Sequence, residues 1–406
     1  IISIYLDNAA KTQVKKEVLD VIIKSLEEDW YNPSSSYQPG VEVKNKIEQV
    51  RKLIADKINA KPNEIFFTSG GCEGNSWILD NFFTIFYDPT SHSSIMRVIN
   101  DISDSNGIKL IEQPVEPIHV DSEGVVDLED LSKKVKLFLD ETLYEFCLVT
   151  ICGANNEIGT VQPLSQLKKK INSLNESYSQ IIDDFCKCDK HEQKRVYFHV
   201  DGTQMLPYMK IDVQELSVDA MTFSGAKIGC PSGIGFVYIK DDLQYLINSL
   251  IYGEQENGLR GGTENVPYIL GLGKAIQLLD TDTSHLESIR NYFVHKLLTL
   301  PNTRLVGSGL SRLPNNVNIC FGNIDATALL SYLNLNGIYA SSGSACNSNS
   351  LEPSHVLKEI GLNDIEANSC VRFTLSNETT VEELEETFSV IERFVTRQNK
   401  YLGKGE

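Results

Sequence analysis

Two strand-like runs end on residues that could do chemistry together. FHVDGTQ (198–204) carries Asp201, and MTFSGAK (221–227) closes the next run on Ser-Gly-Ala-Lys, with Lys227 last. A lysine can condense with an aldehyde cofactor, and a nearby carboxylate can keep a pyridinium nitrogen protonated, which makes the ring an electron sink. The C-terminal ends of strands are where open α/β sheets collect their ligands. Taken singly, Lys227 reads more simply as a solvated lysine and Asp201 as a helix cap, because short motifs match by chance often. A third reactive type is Cys346, in the small and polar stretch SSGSACNSNS (341–350), whose composition predicts a loop. A thiol there must ionise to act, and an ordinary cysteine, with a pKa of about 8.5, needs help at neutral pH.

The elements that must position these residues follow from periodicity. Val18, Leu19, Ile22, Ile23 and Leu26 mark one helix, and Ile47, Val50, Leu53, Ile54 and Ile58 a second, each stripe expected to face a core. Strands are expected at 64–68, 146–151, 196–201, 220–224 and 233–239, rich in Val, Ile, Phe and Tyr. Helix alternating with strand predicts an α/β fold with a mostly parallel sheet. After about residue 265 long helices take over, through 269–279 and 286–300, and a last helix opens on Thr380 and Glu383 in capping-box spacing. The expected units are a large domain over 16–278 and a smaller α+β domain built from 1–15 with 279–406, which carries the cysteine loop at about 340–352.

Composition narrows the function. With 55 acidic against 37 basic side chains the formal charge is -18, which repels phosphate backbones and anionic lipid. Direct nucleic-acid or membrane binding is therefore not expected, and no apolar run is long enough to cross a bilayer. Nine cysteines are an odd number and too few for a disulfide scaffold, so a reducing, cytoplasmic setting is expected. The opening IISIYLD lacks the basic, apolar, small-residue succession of a leader, and none is expected. Eight of the cysteines read mainly as small buried hydrophobes. Cys186, Cys188 and His191 make only a weak metal pattern and read as incidental.

The order of motifs along the chain carries more than any one of them. YLDNAAKT (5–12), YNPSSS (31–36), FFTSGGCEGNS (66–76), NNEIGTVQPL (155–164), FHVDGTQ (198–204), FSGAKIGCPSGIGFVYI (223–239), LRGGTENV (259–266), ASSGSACNSNSLEPSHVL (340–357) and VRFTLS (371–376) span nearly the whole sequence. In that order they resemble the group I cysteine desulfurases, within the class-V aminotransferases of the pyridoxal-phosphate-dependent transferase fold type I. The resemblance implies a seven-stranded, mostly parallel sheet in the large domain, pyridoxal 5'-phosphate as cofactor, a homodimer, L-cysteine as substrate and a sulfur-acceptor protein as partner.

It also implies roles. Lys227 bears the cofactor, Asp201 faces its ring nitrogen, and Gln204 and Asn156 bond the ring's oxygen and surroundings. Ser224 with the backbone of Gly71 and Cys72 cradles the phosphate, and Thr263 reaches the phosphate of the neighbouring subunit. Arg372 clamps the substrate carboxylate, with Asn32 and Asn156 also on the substrate side. His92 stacks on the ring and handles protons, and Cys346 receives the sulfur as a persulfide. The sequence departs from the family pattern at Ala226, Cys72, Tyr37 and Lys11, where His, Thr, His and Thr are usual; Lys11 could bring positive charge to the site. Those departures keep a non-catalytic scaffold of a sulfur-transfer complex in view, beside selenocysteine lyase. The loop around Cys346 disfavours transamination, which needs no nucleophilic thiol.

Overall fold

The computed structural model describes residues 3–106, 115–141, 146–185, 194–322, 324–342 and 353–402. Cys346, Cys186, Cys188 and His191 lie outside these residues. Among these residues twelve strands run in chain order: β1 Ile4–Tyr5, β2 Ile65–Thr68, β3 Ile85–Tyr87, β4 Val115–Pro117, β5 Phe146–Cys152, β6 Arg195–Asp201, β7 Ala220–Ser224, β8 Gly235–Ile239, β9 Arg304–Leu305, β10 Asn316–Cys320, β11 Ile338–Tyr339 and β12 Cys370–Thr374. The large sheet has the order β2-β8-β7-β6-β5-β3-β4. Only β8 runs against its neighbours, and the other pairings are parallel.

Parallel strands must be covered on both faces, which favours unbroken apolar runs over alternation. β5 and β6 show this, buried along almost their whole length. Register places Cys152 opposite Asp201, and Asp201 opposite Thr222, at one edge of the sheet. The C-terminal ends of β5, β6 and β7 therefore stand side by side.

The helix Gln38–Ile58 buries Val43, Ile47, Val50, Ile54 and Ile58 as its spacing predicts. The helix Lys16–Glu28 departs from expectation. It buries Val18, Ile22 and Ser25, while Leu19, Ile23 and Leu26 are exposed. The cause is its neighbour, the helix Val266–Gln277: a Cβ on Gly271 would stand 2.7 Å from Ile22 and 3.5 Å from Val18. Two helices meeting so closely at a glycine touch along a narrow stripe, and the flanking apolar positions fall outside it.

Buried residues as far as Ile276 join the core around the large sheet, and from Leu286 onward most join a second core that also takes in Ile4 and Leu6. That second core lies against one face of a three-stranded antiparallel sheet, β12-β10-β9. The last helix, Val381–Leu402, is capped as its sequence announces: the Thr380 amide donates to Glu383 at 2.9 Å, and the Glu383 amide to the Thr380 hydroxyl at 3.2 Å. Its Leu384, Phe388 and Ile391 are buried in the second core.

Candidate active site

A cavity of about 340 Å³ opens where the parallel strands end. Its lining contains Cys152, Asp201 and Ser224, from the tips of β5, β6 and β7, together with Lys227 from the tight turn Gly225–Lys227 that follows β7. Thr12 fixes that turn, its hydroxyl donating to the carbonyl of Ala226 at 3.0 Å and accepting from the Gly229 amide at 2.9 Å. The Lys227 ammonium donates to the carbonyl of Ala10, and the Gln204 amide donates to that of Ala9 at 3.0 Å. The strand-like N-terminal segment is itself held from β12: the Ala9 amide donates to the Thr374 hydroxyl at 2.9 Å.

Asp201 is buried. One of its oxygens accepts from the Thr203 amide at 3.0 Å, and the other from the Asn75 side chain at 2.8 Å. It takes part in no ion pair among the described residues. His199 does not supply its countercharge, because burial pushes that imidazole down to about 4 and leaves it neutral between the hydroxyls of Thr150 and Thr222. Asp201 thus offers a buried negative charge to whatever cation enters the cavity.

Across the cavity the helix Gly71–Leu79 begins. Gly70 has φ +148°, a conformation that L side chains rarely adopt, and a Cβ on Gly71 would come within 3.2 Å of the Thr203 hydroxyl. That hydroxyl oxygen is buried and makes no hydrogen bond among the described residues. The N-terminus of this helix, the unsatisfied Thr203 hydroxyl and Ser224 make a cradle suited to a phosphate. Together with the uncompensated Asp201 and the amine of Lys227, the residues present fit pyridoxal 5'-phosphate.

His92 lines the same cavity. Burial lowers its pKa below the ordinary histidine value, with Asp201 opposing and Lys227 adding to the shift. The Ser94 amide donates to its Nδ1 at 3.1 Å, so the neutral ring carries its proton on Nε2. Arg372 comes from β12, its guanidinium donating to the Asn156 carbonyl at 2.9 Å and pairing with Asp7 at 2.7 Å. Asn156, Gly71 and Cys72 complete the predicted residues in the lining. Cys72 is exposed there, unlike Cys147, Cys152, Cys230, Cys320 and Cys370, which are buried.

Two predicted residues stand apart from the cavity. Asn32 is exposed and accepts from the Ser34 amide at 2.9 Å within its own turn, and Thr263 is exposed on the loop before the helix Val266–Gln277. Lys11 and Tyr37 are likewise exposed and do not line the cavity, so Lys11 brings no charge to its wall. Asn75, Thr12, Thr203 and Asp7 were not anticipated. Their signal was membership of the quoted motifs, Asp7 and Thr12 in YLDNAAKT, Asn75 in FFTSGGCEGNS and Thr203 in FHVDGTQ. Among the described residues no group of histidines, cysteines and carboxylates could hold a metal ion, and no helix is long and apolar enough to cross a membrane.

Known proteins share this fold. The family model for class-V aminotransferases matches residues 4–387. A protein of Dictyoglomus turgidum named cysteine desulfurase IscS is 35% identical over 97% of this chain and 95% of its own length. The chain belongs to the class-V aminotransferases, among the cysteine desulfurases. A solved structure described as a NifS-like protein superposes on this family member with a TM-score of 0.82 at 29% identity, covering 97% of this chain and 100% of its own. Another, described as SspA in complex with cysteine, has a TM-score of 0.74 at 26% identity over 92% of this chain and 99% of its own.

Proposed function

We propose that this family member is a pyridoxal-phosphate-dependent cysteine desulfurase that converts L-cysteine to L-alanine and leaves the sulfur on Cys346. The observation that carries the reading is convergence: Lys227, Asp201, His92 and Arg372 come from separate segments and line one cavity. A relative solved with cysteine supports the choice of substrate. The large unit 16–278 supplies most of that wall, and the unit of 1–15 with 279–406 brings Arg372.

When bound, the cofactor withdraws electrons from the substrate Cα. Lys227 would hold it covalently, Asp201 would meet its ring nitrogen, Gln204 and Asn156 its ring edge, and Ser224, Gly71 and Cys72 its phosphate, with Thr263 reaching the neighbouring subunit's phosphate across a homodimer. Arg372 binds the substrate carboxylate with a planar, two-pronged cation already oriented by Asp7 and the Asn156 carbonyl. Asn32 would assist on the substrate side. Lys227 Nζ takes the Cα proton, and His92, which lines the same cavity, offers a proton from Nε2. The Cys346 thiolate takes the substrate sulfur, the carbon–sulfur bond breaks, and the resulting persulfide passes to a sulfur-acceptor protein. The proposed setting is the cytoplasm, where such a thiol stays reduced.

The test is to incubate purified, cofactor-loaded protein with L-cysteine and a reductant while assaying alanine and sulfide. Both products are expected, with Lys227→Ala inactive and Cys346→Ser retaining the cofactor absorbance without releasing sulfide. A protein that binds no cofactor and makes neither product would instead be a scaffold, and faster turnover of selenocysteine would reassign the substrate.

A further inference from the structure

β10 and β12 run antiparallel, with Asn316 opposite Thr374, Asn318 opposite Arg372 and Cys320 opposite Cys370. The residues between these rungs, Val317, Ile319, Val371 and Phe373, are buried in the second core. Strand alternation turns the three rungs to the other face, the one from which Arg372 reaches the cavity. Cys320 and Cys370 are buried on that face, and the proposed reaction uses neither of them.

The type of rung follows from its neighbour. The Phe321 amide donates to the Ser369 carbonyl at 2.9 Å, so 321 and 369 form a hydrogen-bonded pair, and 320 and 370 a non-hydrogen-bonded one. Cα atoms in such a pair stand about 4.5 Å apart. That falls inside the range of roughly 4.4–6.8 Å that a disulfide spans. The sulfurs also converge, since both reach the carbonyl oxygen of Glu366, Cys320 from 3.6 Å and Cys370 from 3.1 Å. Contact with Cys370, helped by the Gly322 amide and the Arg304 guanidinium, draws Cys320 down, while the same contact and burial push Cys370 up. Titrating as a pair, the two thiols can release one proton to leave an attacking thiolate beside a protonated partner.

We propose that Cys320 and Cys370 form a redox modification site, which a peroxide-class oxidant converts into a cross-strand disulfide tying β10 to β12. The Cys320 thiolate attacks one peroxide oxygen, the O–O bond breaks, and hydroxide leaves and is protonated to water, giving a sulfenic acid. The Cys370 sulfur then displaces the second oxygen as water, using its own thiol proton. Two thiols and one peroxide become one disulfide and two waters, the sulfurs losing two electrons and the peroxide gaining them. The bridge encloses the chain from 320 to 370, the stretch that contains Cys346, and restricts it chiefly when unfolded.

The holoenzyme is treated with hydrogen peroxide, quenched with catalase, alkylated under denaturing conditions and digested with chymotrypsin without reductant. Cleavage after Tyr332 and Tyr339 separates Cys320 from Cys346, so the two can be told apart. The expected result is a peptide pair joining Cys320 to Cys370, lighter by two hydrogens than the separate thiols and released by dithiothreitol. A rise in Tm of several degrees should accompany it, be reversed by the same reductant, and be missing in Cys320→Ser and Cys370→Ala. Recovery of both cysteines singly alkylated after the peroxide is consumed, or a bridge from either to another cysteine, overturns the proposal. The wild-type peptide map needs no variant to be read, and it does not depend on the desulfurase assignment.

Discussion

Asn75 and His92 show how far individual side chains tune this cavity. Asn75 holds an oxygen of Asp201 at 2.8 Å, so Asn75→Ala strips a buried carboxylate of a hydrogen bond. A loss of this kind is worth about 1–3 kcal/mol, and cofactor affinity, followed by absorbance titration of the apoprotein, should fall by roughly tenfold or more. His92 is held below its ordinary pKa by burial, so it is neutral at pH 7 and gains a proton only on acidification. Turnover should fall on an acid limb lying below about pH 6.5, and His92→Gln should remove that limb from the pH–rate profile. At this scale the sequence disclosed the groups that bear reactive chemistry and not those that orient them. Lys227, Asp201, Arg372 and His92 announce themselves by type and motif. Asp7 and Thr12 acquire their parts from contacts reaching 365 and 214 residues along the chain, which no local pattern encodes.

Strand ends and helix caps set the next scale. Thr380 caps the final helix, and Thr380→Ala should lower stability by about 1 kcal/mol, read as a fall in Tm of a few degrees, with turnover unchanged. His199 on β6 and Asp88 just after β3 are both fully buried and pull in opposite directions with pH. His199 is depressed to about 4, so its contribution is complete above pH 6.5 and is lost as pH falls through 4. Asp88 is raised to about 6 by burial, so its contribution is complete below its ordinary carboxylate range and is lost as pH rises through 6. Each amounts to about 3 kcal/mol, and between pH 4 and 6 they offset one another. Asp88→Asn removes one side of that balance, so urea midpoints for the variant should fall more steeply than wild type from pH 6 to pH 4.5. Element identity was legible because parallel strands and capped helices have composition rules. Which face of the helix Lys16–Glu28 is covered was not, because that depends on Gly271 in a partner some 250 residues away.

Two hydrophobic cores, one around the large sheet and one built mostly from Leu286 onward, hold most of the buried apolar side chains among the described residues. Leu6 is fully buried in the second core although it comes from the start of the chain. Leu6→Ala should cost about 2–5 kcal/mol in chemical denaturation. Because Asp7 follows directly and pairs with Arg372, the same variant should also raise KM for L-cysteine more than it lowers kcat. Alternation of helix with strand made the α/β architecture readable from the sequence. The handover between cores near residues 276–286 was legible only as a change of periodicity.

The segment from Ile4 to Ala10 joins these scales through time as well as space. A ribosome delivers it 365 residues ahead of its anchor at Thr374 and its ion-pair partner Arg372. Until then the carbonyls of Ala9 and Ala10 have no fixed place at which to meet Gln204 and Lys227. A nascent chain arrested short of β12 should therefore fail to capture the vitamin, which makes cofactor loading an event that follows synthesis.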